Sequence, residues 1–311
     1  LILYLCFFII NSTMLDELSK YTYIDFKEFK LGDLIDKSNA SVFKGVYDNK
    51  TVALKGYEYD NEDEDEFPDE NIYMELYIGK LVSSERLMKV YGYTYDYDEK
   101  MIYVVLEYIN SDNLWEYIKK DMFSIYMNND SDINKYPYYI KQRRDYWGYT
   151  MTRKTKYSIC LSLLKAIRSL WREGIVHGDL KPENLVIERK DDGQIYLKII
   201  DYGTCIQDDN IQLDYCCGTD GFVSPELDKY FKLSHKSDIY AVGAILVELW
   251  TSCLKQGDYN KSRSDLLKRI KIIVKEDSNI GNLIKKCVHI NPKRRPNIYE
   301  LLDMFKELNE E

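Results

Sequence analysis

The sequence predicts an α+β fold in two unequal lobes, a small β-rich one with a single helix followed by a larger helical one. Three observations predict it. At 311 residues the chain is longer than one core of about 150 residues requires. Short apolar runs separated by polar turns dominate residues 26–107. Beyond Glu107 the apolar residues recur with a helical period. With 45% apolar and 31% charged residues, the composition can fill a sizeable core.

The elements follow in chain order. The opening LILYLCFFII is ten apolar residues, too short to cross a bilayer, which takes about 20. No basic stretch precedes it, so a secretory signal is not supported. Residues 1–25 are set apart as an N-terminal segment, with Met14 as the candidate start and residues 1–13 as upstream sequence outside the native fold. Strand patterns cover Ser41–Tyr47, Thr51–Lys55 and Met101–Glu107. A helix is expected from about 70 to 82, preceded by a run with eight acidic residues in the eleven from 60 to 70, which reads as a solvated loop. Residues 121–150 are polar, aromatic and irregular, with Lys141, Arg143 and Arg144 in a basic second half, and read as an insertion. Cys160, Leu163, Leu164, Ile167, Leu170 and Trp171 lie on one helix face. Ile239–Trp250 is apolar all round and predicts a buried helix. Asn297 and Glu300 form a capping pair for a last amphipathic helix carrying Leu301, Leu302 and Phe305. The first lobe is expected at about 26–107 and the second at about 110–311.

Charge and thiols narrow the functional classes. The 43 basic and 52 acidic side chains give a net charge of −9, without the basic footprint of a nucleic-acid binder. Neither a nucleic acid nor a membrane is expected as partner. The seven cysteines form no CxxC pair and are odd in number, which favours a reducing, cytoplasmic location over a disulfide framework. Cys216 and Cys217 are read as unpaired structural thiols.

The chemistry-bearing residues are concentrated in two stretches. Residues 175–186 read IVHGDLKPENLV, and residues 198–203 read KIIDYG. Together they resemble the catalytic loop (HRDLKxxN) and the DFG motif of eukaryotic-type Ser/Thr protein kinases. The resemblance covers about residues 26–309 and implies a bilobal protein-kinase-like fold using ATP with Mg²⁺ or Mn²⁺. It implies Asp179 as the base or positioning residue for the acceptor hydroxyl and Lys181 as the cation on the transferred group. Asn184 and Asp201 would hold the metal, since hard oxygen ligands suit magnesium.

Further matches extend the set. VALK at 52–55 resembles the family's VAIK, so Lys55 would contact the α- and β-phosphates. Glu75, in the helix NIYMELYIGKLV, is its expected ion-pair partner, with Glu70 as a rival. The backbone of Glu107 and Ile109 would hydrogen-bond adenine, behind Leu106 as gatekeeper. Val42, Ala53 and Val186 would sandwich the ring. CGTDGFVSPE at 217–226 resembles the end of the activation segment. Glu226 would pair with Arg295, Asp238 would tether the catalytic loop, and Thr219 would support Lys181 and Asp179.

The departures from the family are equally specific. Ile35, Lys37 and Ala40 stand at the three positions of the glycine-rich loop, so a weaker grip on ATP is expected. Gly178 replaces the Arg that pairs with a phosphorylated activation-segment residue, so independence from that switch is expected. Tyr202 replaces the Phe of DFG and needs a hydroxyl partner if buried. Gly79 stands where an apolar residue would pack on Tyr202, and is expected to loosen the helix and make activity depend on a regulatory protein partner. The reading is an ATP-dependent kinase acting on Ser/Thr of protein substrates. The alternative is a pseudokinase-like binding or regulatory module.

Overall fold

The computed structural model describes residues 20–37, 40–58, 70–120, 151–189, 195–251 and 263–310. Residues 1–13, most of the acidic run, the 121–150 insertion and the loop tip at Ser38 and Asn39 lie outside the described residues. The chain divides into two compact units, one holding residues up to 110 together with 201–203, the other 111–200 and 204 onward.

The first unit is built on five antiparallel strands: β1 (Lys30–Lys37), β2 (Ser41–Tyr47), β3 (Lys50–Glu58), β4 (Val90–Asp96) and β5 (Met101–Glu107). Their order is β1-β2-β3-β5-β4. The central pair, β3 and β5, takes the apolar runs, with Val52, Ala53 and Leu54 buried beside Ile102, Val104, Val105 and Leu106. One face closes on Ile24, Val52, Leu54, Tyr103 and Val105. The single helix, α1 (Glu70–Leu81), packs on β4 and β5. Edge strand β1 is exposed along its whole length.

Two boundaries differ from the sequence reading. Residues 22–24, inside the expected N-terminal segment, bridge to β4 beside the sheet. Tyr93 N–H donates to Thr22 O, Ile24 N–H donates to Tyr93 O, and Ile24 is buried. Residues 201–203 fall in sequence within the expected second lobe, yet their contacts join them to the first unit. A three-residue excursion of this kind carries no signal in composition or period.

In the second unit, residues 114–120 are helical, followed by α2 (Arg153–Arg172). Thr152 caps α2, its side chain accepting from Thr155 N–H. The expected face of α2 is buried from Cys160 to Leu170. Short strands β6 (Ile175–Val176), β7 (Leu185–Arg189), β8 (Ile195–Ile199) and β9 (Ile206–Gln207) form two hairpin-like pairs, β6 with β9 and β7 with β8. A third pair joins β10 (Ile211–Gln212) to β11 (Lys232–Leu233), on either side of α3 (Pro225–Tyr230). Helix α4 (His235–Thr251) is buried from Ser237 to Leu249 and is flanked by α5 (Arg263–Glu276) and α6 (Ser278–Cys287). Its apolar run hides an acid. Glu248 is fully buried and forked by Arg269 of α5 at 2.5 and 2.8 Å. The last helix, α7 (Ile298–Glu310), starts with the expected capping box: Asn297 N–H donates to Glu300 Oε2 at 2.7 Å, and Glu300 N–H donates to Asn297 Oδ1 at 2.9 Å.

Candidate active site

In the first unit the site centres on Lys55. Antiparallel register sets Lys55 opposite Val104 and Ala53 opposite Leu106. Lys55 Nζ donates to Glu75 Oε1 at 2.5 Å and to Asp201 Oδ1 at 2.9 Å. Glu75, from the middle of α1, is fully buried, so this pair is shielded from solvent screening. Burial pushes the Glu75 carboxyl up, Lys55 pulls it back, and the second carboxylate of Asp201 adds to the rise, leaving it at about 7. Lys55 is drawn down by burial but raised overall by Glu75 and Asp201, so it stays an ammonium. Asp201 has a φ of +68°, a left-handed conformation that Asp tolerates better than most residues.

The neighbours of Asp201 fix its position. Tyr202 is buried and its hydroxyl donates to Met88 O at 2.9 Å, which meets the requirement raised by replacing Phe. Gly203 N–H donates to Asp201 Oδ1 at 3.4 Å. A Cβ at Gly79 would lie 2.4 Å from Val90 Cβ, so the missing side chain lets α1 approach the start of β4 closely.

The sequence reading missed Tyr57. It lies two residues past Lys55 in β3, on the same face of the strand. It is buried, and Lys55 Nζ lies 5.7 Å from its ring centroid. Strand period places it on the face of Lys55, but its burial shows only in the structure.

Of the expected adenine contacts, Leu106 and Ala53 are buried on adjacent strands and Val42 is half-buried on β2. Glu107 N–H already donates to Lys89 O at 2.9 Å. Any adenine contact from this residue's backbone therefore falls to its carbonyl. Ile109 lies just past β5 and is half-buried, and Val186 is buried in β7 of the second unit.

The second unit holds the expected catalytic loop. Asp238, near the start of α4, accepts from His177 N–H at 2.9 Å and Gly178 N–H at 3.1 Å. Burial pushes its carboxyl up to about 7 against the pull of those two donors. Beyond this tether, Lys181 Nζ donates to Asp179 Oδ2 at 2.7 Å and to Thr219 Oγ1 at 2.9 Å. Thr219 Oγ1 in turn donates to Asp179 Oδ1 at 2.8 Å. Both oxygens of Asp179 are thus oriented by one cation and one hydroxyl. Asn184 Nδ2 donates to Asp179 O at 2.9 Å, which closes the loop on itself.

Below the loop, Arg295 and Glu226 form a forked pair at 2.6 and 2.7 Å. Arg295 is 2% exposed. Two further donors go to His289 O and Lys236 O. Ser237 Oγ donates to Glu226 Oε1 at 3.2 Å, a contact that sequence reasoning did not foresee. Thr204 was missed as well, and its hydroxyl donates to His177 O at 3.0 Å. Cys216 and Cys217 are free thiols, and burial, helped by Cys216, pushes Cys217 up to about 11, away from nucleophilic reactivity.

The family described as "Protein kinase domain" matches residues 37–305 of this chain. The chain belongs to the protein kinase family. It is 26% identical over 292 residues to a mitogen-activated protein kinase kinase kinase 7-like protein of Drosophila melanogaster, covering 89% of this chain and 66% of that protein. It is 26% identical over 310 residues to a LIM domain-containing serine/threonine-protein kinase of Dictyostelium discoideum, covering 97% and 42%. It is 28% identical over 204 residues to serine/threonine-protein kinase 2 of Plasmodium falciparum, covering 66% and 33%. This kinase chain therefore spans only part of the length of these curated relatives. The family uses ATP and a divalent metal, and acts on protein substrates. In this chain the first unit holds the Lys55 contacts with Glu75 and Asp201, and the second holds the contacts among Asp179, Lys181 and Thr219.

Proposed function

We propose that this chain transfers the γ-phosphoryl group of ATP to Ser or Thr hydroxyls of protein substrates. The observation that carries the reading is the Asp179–Lys181–Thr219 arrangement. Asp179 offers a carboxylate oxygen to the acceptor hydroxyl and takes its proton as the oxygen–phosphorus bond forms. Lys181 balances negative charge on the group in transfer, and ADP leaves as the bond to its β-phosphate oxygen breaks. Lys55, held by Glu75, is assigned to the α- and β-phosphates.

The donor set fits magnesium or manganese. Among the described residues no cluster of three or more His, Cys, Asp or Glu side chains could cage a metal. Magnesium in kinases instead takes one or two protein oxygens together with phosphate oxygens and water. Asp201 of the first unit would offer a carboxylate, and Asn184 of the second unit, whose amide nitrogen donates to Asp179 O, would offer its Oδ1. A metal bound there would neutralise charge on the phosphates. The relatives named above support Ser/Thr specificity, as does Lys181 with Thr219. The described cysteines are all free thiols, which supports a cytoplasmic location.

The test incubates the full chain with Mg-ATP and generic protein substrates beside Asp179→Asn and Lys55→Met. Phosphoserine or phosphothreonine formed by the parent alone is expected. Thermal stabilisation by Mg-ATP without any transfer would refute the enzyme and leave a binding module.

A further inference from the structure

We propose that Asp209 is a positioning residue for the segment that carries Thr219. Its carboxylate fastens that segment to the first turn of α4, the turn that also holds the catalytic loop through Asp238. The inference rests on the kinase reading, because it concerns the hydroxyl which that reading sets beside Asp179.

The contact is built from both sides. Asp209 lies in the turn between β9 and β10. The N–H of His235, the first residue of α4, donates to Asp209 Oδ1 at 2.9 Å. First-turn N–H groups have no acceptor within their own helix, and that helix end is positively polarised, so an ionised carboxylate suits it. The next two donors are met locally, Lys236 N–H by Ser234 Oγ at 3.2 Å and Ser237 N–H by Ser234 O at 2.8 Å. The donor at His235 is met by the segment. Asn210, with a φ of +65°, donates from Nδ2 to Asp209 Oδ2 at 3.2 Å, so both carboxylate oxygens are engaged. The His235 ring sets Nδ1 3.4 Å from the same Oδ1 and lies 4.3 Å from the ring of Trp171.

The consequence is mechanical. Three residues further along α4, Asp238 accepts from His177 and Gly178. One helix turn thus holds the catalytic loop with its own carboxylate and the segment with a carboxylate that the segment brings. Burial raises the Asp238 carboxyl most, and the charge of Asp209 adds a smaller rise, in keeping with two acids at one helix end. Gly178 offers no guanidinium for a phosphate, and Asp209 needs none, because its partner is a backbone N–H. Strand pairing fixes the chain on either side of the turn. The carboxylate fixes how the turn sits on α4, and with it the path towards Thr219 and its bonds to Asp179 and Lys181.

Asp209→Ala removes the acceptor, and Asp209→Asn keeps an accepting oxygen. His235→Pro deletes the N–H at the one helical position that accepts proline readily, whereas His235→Ala deletes the ring and keeps the N–H. Full-length variants are compared by steady-state phosphotransfer, each well below its melting temperature. Asp209→Ala is expected to lower kcat about threefold to tenfold, the range of one hydrogen bond. KM for ATP should stay within about twofold, because the phosphates are assigned to Lys55. Asp209→Asn should recover part of the loss. In the His235→Pro background Asp209→Ala should do nothing beyond about twofold, and in the His235→Ala background its loss should persist. If the Pro variant fails to fold, the His235→Ala background and the Asn rescue decide. Parental kcat in Asp209→Ala, an equal loss in Asp209→Asn, or a full loss in the His235→Pro background would overturn the proposal. A parent that transfers nothing refutes the kinase reading alone. Amide exchange across residues 204–213 then decides the anchor, faster exchange in Asp209→Ala upholding it and unchanged exchange refuting it.

Discussion

Adding one methyl group at Gly79 should both destabilise the first unit and silence the site. In Gly79→Ala the new Cβ would meet Val90 Cβ and Cγ2 at 2.4 Å. Carbon atoms rest at about 3.5–4.0 Å, so α1 and β4 must part by roughly 1 Å. The obstacle includes a Cβ, which no rotamer change can move. Overpacking of this kind costs about 1–3 kcal/mol. The helix regains about 1 kcal/mol because Ala is the better helix former. The net loss is about 0–2 kcal/mol, which corresponds to a Tm lower by up to about 8 °C. Function suffers more. Glu75 lies one turn before Gly79 on the same helix, and its contact with Lys55 is only 2.5 Å long. A misplacement of about 1 Å at such a contact costs up to about a hundredfold in rate. Thermal melting and phosphotransfer rates decide the matter, with Val90→Gly as the relieving change in a double variant. If Gly79→Ala melts at or above the parent and keeps its kcat, α1 does not rest on Val90 and the argument is wrong.

Three further outcomes follow from the second unit. Replacing Arg295 with Met strands a buried carboxylate and should cost about 3–5 kcal/mol in urea unfolding, with Glu226→Gln in the same chain recovering part of it. The Arg295 hydrogen bonds outweigh burial and hold Glu226 below the ordinary carboxylate value. The stability this pair supplies is therefore present above that value and lost as pH falls through the lowered one. The sign is opposite at Asp238, whose carboxyl is pushed up to about 7 from 3.8. Between those values the folded state holds a proton that the unfolded chain releases, so its contribution falls with rising pH and levels off above about 7. Relative to Asp238→Asn, the parent should lose on the order of a few kcal/mol across that window in denaturation midpoints, and equal slopes would refute the assignment. Finally, Gly178→Arg should destabilise the catalytic loop rather than restore a phosphate switch. Gly178 has a φ of +82°, and a Cβ there would lie 2.9 Å from Thr204 O. A variant with parental Tm and new dependence on phosphorylation within 204–220 would contradict this.

Lys55, Asp179, Asn184 and Asp201 were legible as motif positions, and strand β3 and helix α1 follow from the apolar period around Lys55 and Glu75. Pairings between distant segments were legible only where the family motif supplied both halves, as for Glu226 with Arg295. Glu248 and Arg269 had no motif, and an acid within an apolar run reads as an interruption until its partner from another helix is seen. The packing at Gly79 was hidden for a related reason. A sequence shows that a side chain is missing but not what occupies its place, and here Val90 does. Tyr57 was overlooked because aromatic residues are ordinary in strands, and only burial of its hydroxyl beside Glu75 sets it apart.

The segment after Asp201 shows how the second unit orders itself without the arginine that Gly178 replaces. The segment is fastened twice by backbone pairing, Ile206–Gln207 to Ile175–Val176 and Ile211–Gln212 to Lys232–Leu233. Leu213 N–H donates to Phe231 O at 2.8 Å, and Leu213 is buried in one cluster with Val176, Leu227 and Leu233. Burying a Leu or Val side chain contributes about 1.5–3 kcal/mol, so this cluster outweighs the one to three charge-assisted hydrogen bonds that a phosphate would add. Its stabilisation is also indifferent to salt and to phosphatases. At the far end Thr219 ties the segment to Asp179 through a neutral hydroxyl. The left-handed turn at Gly178 then has a positive role, because it brings the loop close enough to Thr204 O to exclude any side chain. Apolar burial and backbone pairing thus hold the segment against the catalytic loop.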